Sequence, residues 1–272
     1  MPQNSFIRKI LILIVGVLAV VGLITIVIYM AILLGFTKSS SFIDTTNRHL
    51  TGSSTPTQVP TWSSTDEWQT LAIAIEKDQA TIERAAADAQ INPRILVGPL
   101  ISEQMRLFFS NREIFKEIFA PFRILGVQSQ YSWGVMGMRR DSAIEIENNL
   151  KNPQSPFYLG TQYEHLLDFQ TADHETERFT RLTDQKNHYY SYLYSALFLK
   201  QIEKQWQTAG YDISKKPGVL ATLFNIGFIH SKPNSNPQIG GAEIEINGVK
   251  YSFGGIAEDF YYSDLLNTQF SK

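Results

Sequence analysis

Residues 10–36 run without a charged side chain, ILILIVGVLAVVGLITIVIYMAILLGF, and nothing else in the chain restricts its fold as much. As a helix the 27 residues would span about 40 Å, more than the roughly 30 Å hydrocarbon core of a bilayer. Tilt or an interfacial last turn absorbs the surplus. The competing reading is a cleaved signal peptide, whose apolar region runs to only about 7–15 residues before a small-x-small site. This stretch is longer, and Thr37-Lys38-Ser39-Ser40-Ser41 after it offers no such site. A retained transmembrane helix is therefore expected. Arg8 and Lys9 precede it and Lys38 alone lies close behind it. The positive-inside rule then leaves residues 1–9 in the cytoplasm and everything past the span outside. The expectation is a single-pass protein of the cell membrane with a periplasmic or extracytoplasmic domain.

Positions 37–66 hold 15 Ser or Thr, with Pro56 and Pro60 among them. Such a segment buries too little apolar surface to offset its ordering entropy, so residues 37–65 read as a flexible tether. Ser64-Thr65-Asp66-Glu67 resembles a capping box and opens a single domain over 66–272. The whole chain carries a formal charge of −2, and from residue 66 onward 20 Lys plus Arg meet 25 Asp plus Glu. That balance argues against nucleic acid as a partner, which usually requires a basic excess. There is no cysteine, which excludes a disulfide framework, a thiolate zinc site and a thiol nucleophile. The five histidines show no HExxH or other ligand spacing, and there is no phosphate loop or Gly-x-Ser-x-Gly elbow. Neither a metal nor a cofactor is expected.

The hydrophobic period is helical. Trp68, Leu71, Ile75 and Ile82 mark one face over about 66–89. Asn92-Pro93 starts a helix over about 93–109, which Pro99 should kink unless the helix restarts there. Leu193, Ala196, Leu199, Ile202 and Trp206 mark a long segment over 174–206, and shorter helices fall near 218–227 and 257–266. An amphipathic helix is expected around 113–119. One β signal stands out, GAEIEI-NG-VKYSF, a hairpin turning at Asn247-Gly248. A two-residue loop pairs Ile246 with Val249, Glu245 with Lys250 and Ile244 with Tyr251. Ile244, Ile246, Val249, Tyr251 and Phe253 then share an inward face.

Three patches follow one another. They are Asn92-Pro93-Arg94-Ile95-Leu96-Val97-Gly98-Pro99-Leu100-Ile101-Ser102-Glu103, then Ser132-Trp133-Gly134-Val135-Met136-Gly137, then Ala221-Thr222-Leu223-Phe224-Asn225-Ile226-Gly227. In this order they resemble the soluble lytic transglycosylases and goose-type lysozymes. That family opens a helix at a proline and ends it ten positions later at a catalytic glutamate, the place of Glu103. Its Gly-Leu-Met-Gln turn is matched by Gly134 to Gly137, its Asn-Ala-Gly helix end by Asn225 to Gly227, and its Glu-x-x-x-Tyr pattern by Glu258 and Tyr262. The resemblance covers most of residues 70–266 and implies a mainly α, lysozyme-like α+β domain. The chain differs from the family at Gln104, where Ser is usual, and at Gly137, where Gln is usual. The segment between Glu103 and Gly134 is also longer.

Glu103 can be argued on its own chemistry. Cleaving a glycosidic bond needs an acid that protonates the leaving oxygen as an oxocarbenium-like centre develops. Burial helps a carboxyl keep that proton. Glu103 follows ILVGPLI and precedes Met105, Leu107, Phe108 and Phe109, with Arg106 the one charge among them. The bland alternative is a solvated glutamate at a helix end.

Gly134, Met136 and Ser132 are the turn candidates for contact with a sugar. Asn225 is expected to bond an N-acetyl group, as the family's asparagine does, and Tyr251 and Tyr262 are secondary candidates. Tyr189, Tyr190, Tyr192, Tyr194 and Phe198 crowd one helix and read chiefly as core.

The resemblance implies a membrane-tethered lytic transglycosylase acting on peptidoglycan glycan strands. Two other readings stand beside it. One is a hydrolytic muramidase with Glu113, Glu117 or Asp141 as base. The other is a non-catalytic glycan-binding protein whose tether recruits envelope-spanning machinery.

Overall fold

The computed structural model describes residues 59–109 and 133–272. The span at 10–36, the tether up to residue 58, the helix expected near 113–119, and Ser132, Glu113 and Glu117 lie outside the described residues. Among the described residues no helix is long and apolar enough to cross a membrane. They form a mainly helical domain with one small antiparallel hairpin.

The folded chain begins sooner than the capping box. Thr61–Ser64 makes one 3-10 turn, and Trp62 is 1% exposed, edge-on to Trp68 at 5.1 Å between ring centroids. The domain thus takes in residues assigned to the tether, because one buried indole outweighs the polar residues around it. Thr65 then caps α1 (Asp66–Lys77), its hydroxyl accepting the Trp68 N–H at 3.2 Å.

The single helix expected over 66–89 is two helices. Asp78 separates α1 from α2 (Gln79–Asp88) and accepts hydrogen bonds from Tyr192, at 2.7 Å, and from His188. That tertiary anchor redirects the chain where the apolar period runs on unbroken.

Helix α3 (Pro93–Phe109) starts where expected and runs through Pro99. Asn92 caps it, Oδ1 accepting the Arg94 N–H at 2.7 Å. Arg94 through Glu103 are all buried, the pattern of a helix surrounded on every side. It packs against α1, α2, α6 (Tyr189–Thr208), α7 (Pro217–Ile226), α8 (Phe253–Tyr262) and the first strand. Small residues let the axes approach. A Cβ on Gly98 would lie 3.1 Å from the Ala257 Cβ.

Between α3 and α6 lie α4 (Arg140–Lys151) and α5 (His174–Thr183), the latter divided from α6 by residues 184–188. Helix α4 is absent from the sequence expectation. A fork from Arg178 to Glu147, both bonds 2.7 Å, and a 2.6 Å bond from the Tyr194 hydroxyl to Glu147 tie α4, α5 and α6 together. Tyr192, Tyr194 and Phe198 are core.

The hairpin of β1 (Glu243–Ile246) and β2 (Val249–Ser252) has the expected register, Ile244 opposite Tyr251 and Ile246 opposite Val249. Asn247 and Gly248 take φ of 51° and 80°, as a type I′ turn requires. Its inward face is narrower than expected. Ile244 and Ile246 are buried, but Val249 is exposed, because β1 is the strand that packs on α3.

Candidate active site

Glu103 ends the buried stretch of α3 and is 4% exposed. Beyond it the helix emerges, with Phe108 exposed. The Arg106 guanidinium, one turn on, forks onto the carboxylate, Nε to Oε2 at 3.0 Å and Nη2 to Oε1 at 2.5 Å. Such charge-assisted forks are among the stronger side-chain contacts. Arg106 is itself only 16% exposed.

Against this pair lies the turn of the second patch. Trp133 and Met138 form an antiparallel bridge, N–H to carbonyl at 2.6 and 3.0 Å, and the Gly137 N–H bonds the Gly134 carbonyl at 3.1 Å. Gly134 and Gly137 sit at φ of 68° and 61°, the left-handed region that glycine enters at no steric cost. Both also press on neighbours. A Cβ on Gly137 would overlap the Glu103 carboxylate, and one on Gly134 would overlap the Leu182 carbonyl and stand 2.9 Å from Ser191 Oγ. Gln104 adds a strap from the helix, its Nε2 donating to the Val135 carbonyl at 2.5 Å. Trp133 stands edge-on to Phe179 of α5, 5.2 Å between centroids.

The third patch reaches the same end of α3 through the hairpin. Ser102 Oγ donates to the Phe253 carbonyl at 2.8 Å, and the Phe253 ring stacks on Phe224 at 6.4 Å. Asn225, at the end of α7, holds Ala242 by accepting its N–H at 2.8 Å, and Ala242 in turn accepts the Phe253 N–H at 2.9 Å. The Asn225 amide nitrogen makes no hydrogen bond among the described residues, and the side chain is half-buried, so its two N–H donors remain for a ligand.

Other candidates stand elsewhere. Met136 is fully buried, so it plugs the turn into the core instead of facing a sugar. Gly134 makes its close approach to protein backbone, not to open space. The Tyr251 hydroxyl is 2.5 Å from Thr61 Oγ1. Tyr262 is exposed at the far end of α8, its hydroxyl 3.4 Å from the Lys215 carbonyl. Helix α8 runs antiparallel to α3, pairing Phe253 with Ser102 and Phe260 with Arg94. Tyr262 is therefore near Arg94, which precedes Glu103 by nine residues, about 14 Å along the axis. Glu258 sits beneath α7, accepting the Gly218 N–H at 2.7 Å. Burial holds its carboxyl above the ordinary glutamate range, partly opposed by that hydrogen bond. Asp141, in the first turn of α4, is exposed. Among the described residues no group of three or more His, Cys, Asp or Glu could hold a metal ion.

Sequence reasoning missed the Arg106 fork and the Gln104 strap. The spacing of Glu103 and Arg106, three positions apart on a helix, carried the first signal. No local signal marked the second. In comparisons with known proteins, no family model, no curated protein and no solved structure matches this chain.

Proposed function

We propose that this chain is a membrane-anchored lytic transglycosylase of the bacterial envelope, with Glu103 as its single acid and base. The observation that carries the reading is the meeting of three separated segments at one end of α3. A buried carboxylate lies against a two-glycine turn, and the amide of Asn225 stands on the neighbouring helix end. In the proposed reaction the protonated Glu103 gives its proton to the oxygen between N-acetylmuramic acid and N-acetylglucosamine. The bond from C1 to that oxygen breaks, leaving an oxocarbenium-like muramyl ring. The carboxylate then removes the proton of the muramyl 6-hydroxyl, whose oxygen closes on C1 as a 1,6-anhydro ring. Arg106 favours the charged carboxylate. Entry of the sugar has to draw the guanidinium off before Glu103 can act as an acid.

The same fork supports a second reading, a non-catalytic glycan-binding module that serves an envelope-spanning assembly. A carboxylate held charged by an arginine is suited to structure or to binding. One experiment separates the readings. The detergent-solubilised chain is incubated with purified sacculi, and the soluble products are resolved by mass spectrometry. Anhydro-muropeptides are expected. Glu103→Gln should lower their release by ~10²-fold or more while sacculus binding persists. Reducing ends that carry solvent oxygen would mark a hydrolytic muramidase. Binding without any soluble product from wild-type protein would leave the non-catalytic reading.

A further inference from the structure

A pocket of about 360 Å³ opens at the other end of α3 from Glu103, where Asn92 and Ile95 form part of its wall. That volume is within the range of small-molecule sites. Ile91, Ile95, Leu220 and Tyr261 give it an apolar side, of which Ile95 and Leu220 are buried. Its charged side is mostly cationic, with Lys200, Lys215 and Lys272 facing a single lining carboxylate, Glu203.

The three lysines are not equally engaged. Lys200 is 3.0 Å from Glu203. Lys272 donates to the Tyr262 carbonyl at 3.0 Å and lies 3.7 Å from Asp264. Lys215 is exposed and has no carboxylate in direct contact among the described residues, although Asp212 lies within its electrostatic reach. A further positive charge lies behind the wall. The Arg94 guanidinium is fully buried and gives its hydrogen bonds to five backbone carbonyls, those of Phe260, Tyr261, Ser263, Leu265 and Phe270, at 2.8–3.0 Å. Carbonyl dipoles solvate that charge without cancelling it. Three lysines and one carboxylate, Glu203, thus line the pocket, with Asp212 and Asp264 just outside it, in a domain whose overall charge is negative. An apolar wall with a cationic rim matches a ligand of apolar body and anionic head.

We propose that this pocket binds a small organic carboxylate, its hydrocarbon part against Ile95, Leu220 and Tyr261 and its charge on the lysine rim. The inference stands apart from the role of Glu103. Benzoate is the probe, with benzyl alcohol and benzylamine as neutral and cationic counterparts of similar shape. Binding to the full chain in detergent is followed by saturation-transfer NMR and by the methyl resonances of Ile95 and Leu220. Benzoate should shift those two methyls and bind about fivefold or more tightly than benzyl alcohol, with benzylamine weakest. Lys215→Gln, a change at an exposed position, should weaken benzoate by about fivefold and leave benzyl alcohol unaffected. Equal affinity for benzoate and benzyl alcohol would overturn the proposal. So would benzoate binding that ignores Lys215→Gln and Lys272→Gln together, benzoate shifts confined to other methyls, or no saturation transfer to benzoate.

Discussion

Gly137 shows how narrow the tolerances are around Glu103. Its φ of 61° costs an L-residue about 1–2 kcal/mol, and any side chain there meets the Glu103 carboxylate. A longer side chain such as glutamine would meet the same overlap at this backbone position. Gly137→Ala should therefore lower stability by about 1–2 kcal/mol in urea unfolding and displace the carboxylate. Gly134→Ala strains the same turn but strikes Leu182 instead. If Glu103 is catalytic, muropeptide release should fall further in Gly137→Ala than in Gly134→Ala; equal losses would count against a role for the carboxylate contact. Glu258 supplies a pH signature. Burial raises its folded pKa, so the folded state holds the proton more tightly than the unfolded chain. Its stabilising contribution is largest below the ordinary glutamate pKa and is lost as pH rises through the raised value. Glu258→Gln keeps an acceptor for the Gly218 N–H and removes the titration. In urea unfolding from about pH 4 to about pH 7, the variant should gain stability relative to wild type as pH rises. Parallel curves would refute the assignment.

At the scale of elements, the end of α8 depends on Arg94. The last carbonyls of a helix have no intrahelical partner, and here Arg94 satisfies those of Phe260, Tyr261 and Ser263 as well as two in the tail. Arg94→Met keeps the volume and strands four acceptors, the Phe260 carbonyl keeping the Ser263 hydroxyl, so stability should fall by more than about 3 kcal/mol by thermal or urea unfolding. Arg94→Lys should recover only part, because an ammonium cannot reproduce the guanidinium fork. A loss below about 1 kcal/mol for Arg94→Met would show that water replaces the side chain. Element by element, the sequence was informative where the signal was local. Asn92-Pro93 marked the start of α3, and Asn247-Gly248 set the hairpin register. It was silent at Asp78, where a side-chain anchor on α6 splits an unbroken apolar period. Helix α4 was missed although Ala143, Ile146 and Leu150 carry helical spacing, since the acidic and amide residues between them blur the apolar stripe.

Across the whole molecule, segments far apart in the chain supply both ends of α3. One end joins Glu103 to the turn at 134–137 and, through Ser102 and Phe253, to Asn225. The other gathers Lys200, Lys215 and Lys272 around Ile95 and Leu220. The uncharged run at 10–36 predicts that the chain sediments with membranes, resists high-salt and alkaline washes, and is released by detergent. Removing residues 1–36 should leave it in the soluble fraction. Release of the full chain by salt alone would show that the run does not span a bilayer.

What the sequence determined by itself was what repeats or punctuates along the chain: the uncharged apolar run, the helical period, the capped starts and the two-residue turn. These arise from interactions within a few residues and are written in spacing. The partners of Glu103, the acceptors of Arg94 and the cationic pocket were decided only by the tertiary structure. Each depends on which faces of distant elements meet and how far their side chains reach across the gap, and no local period carries that information.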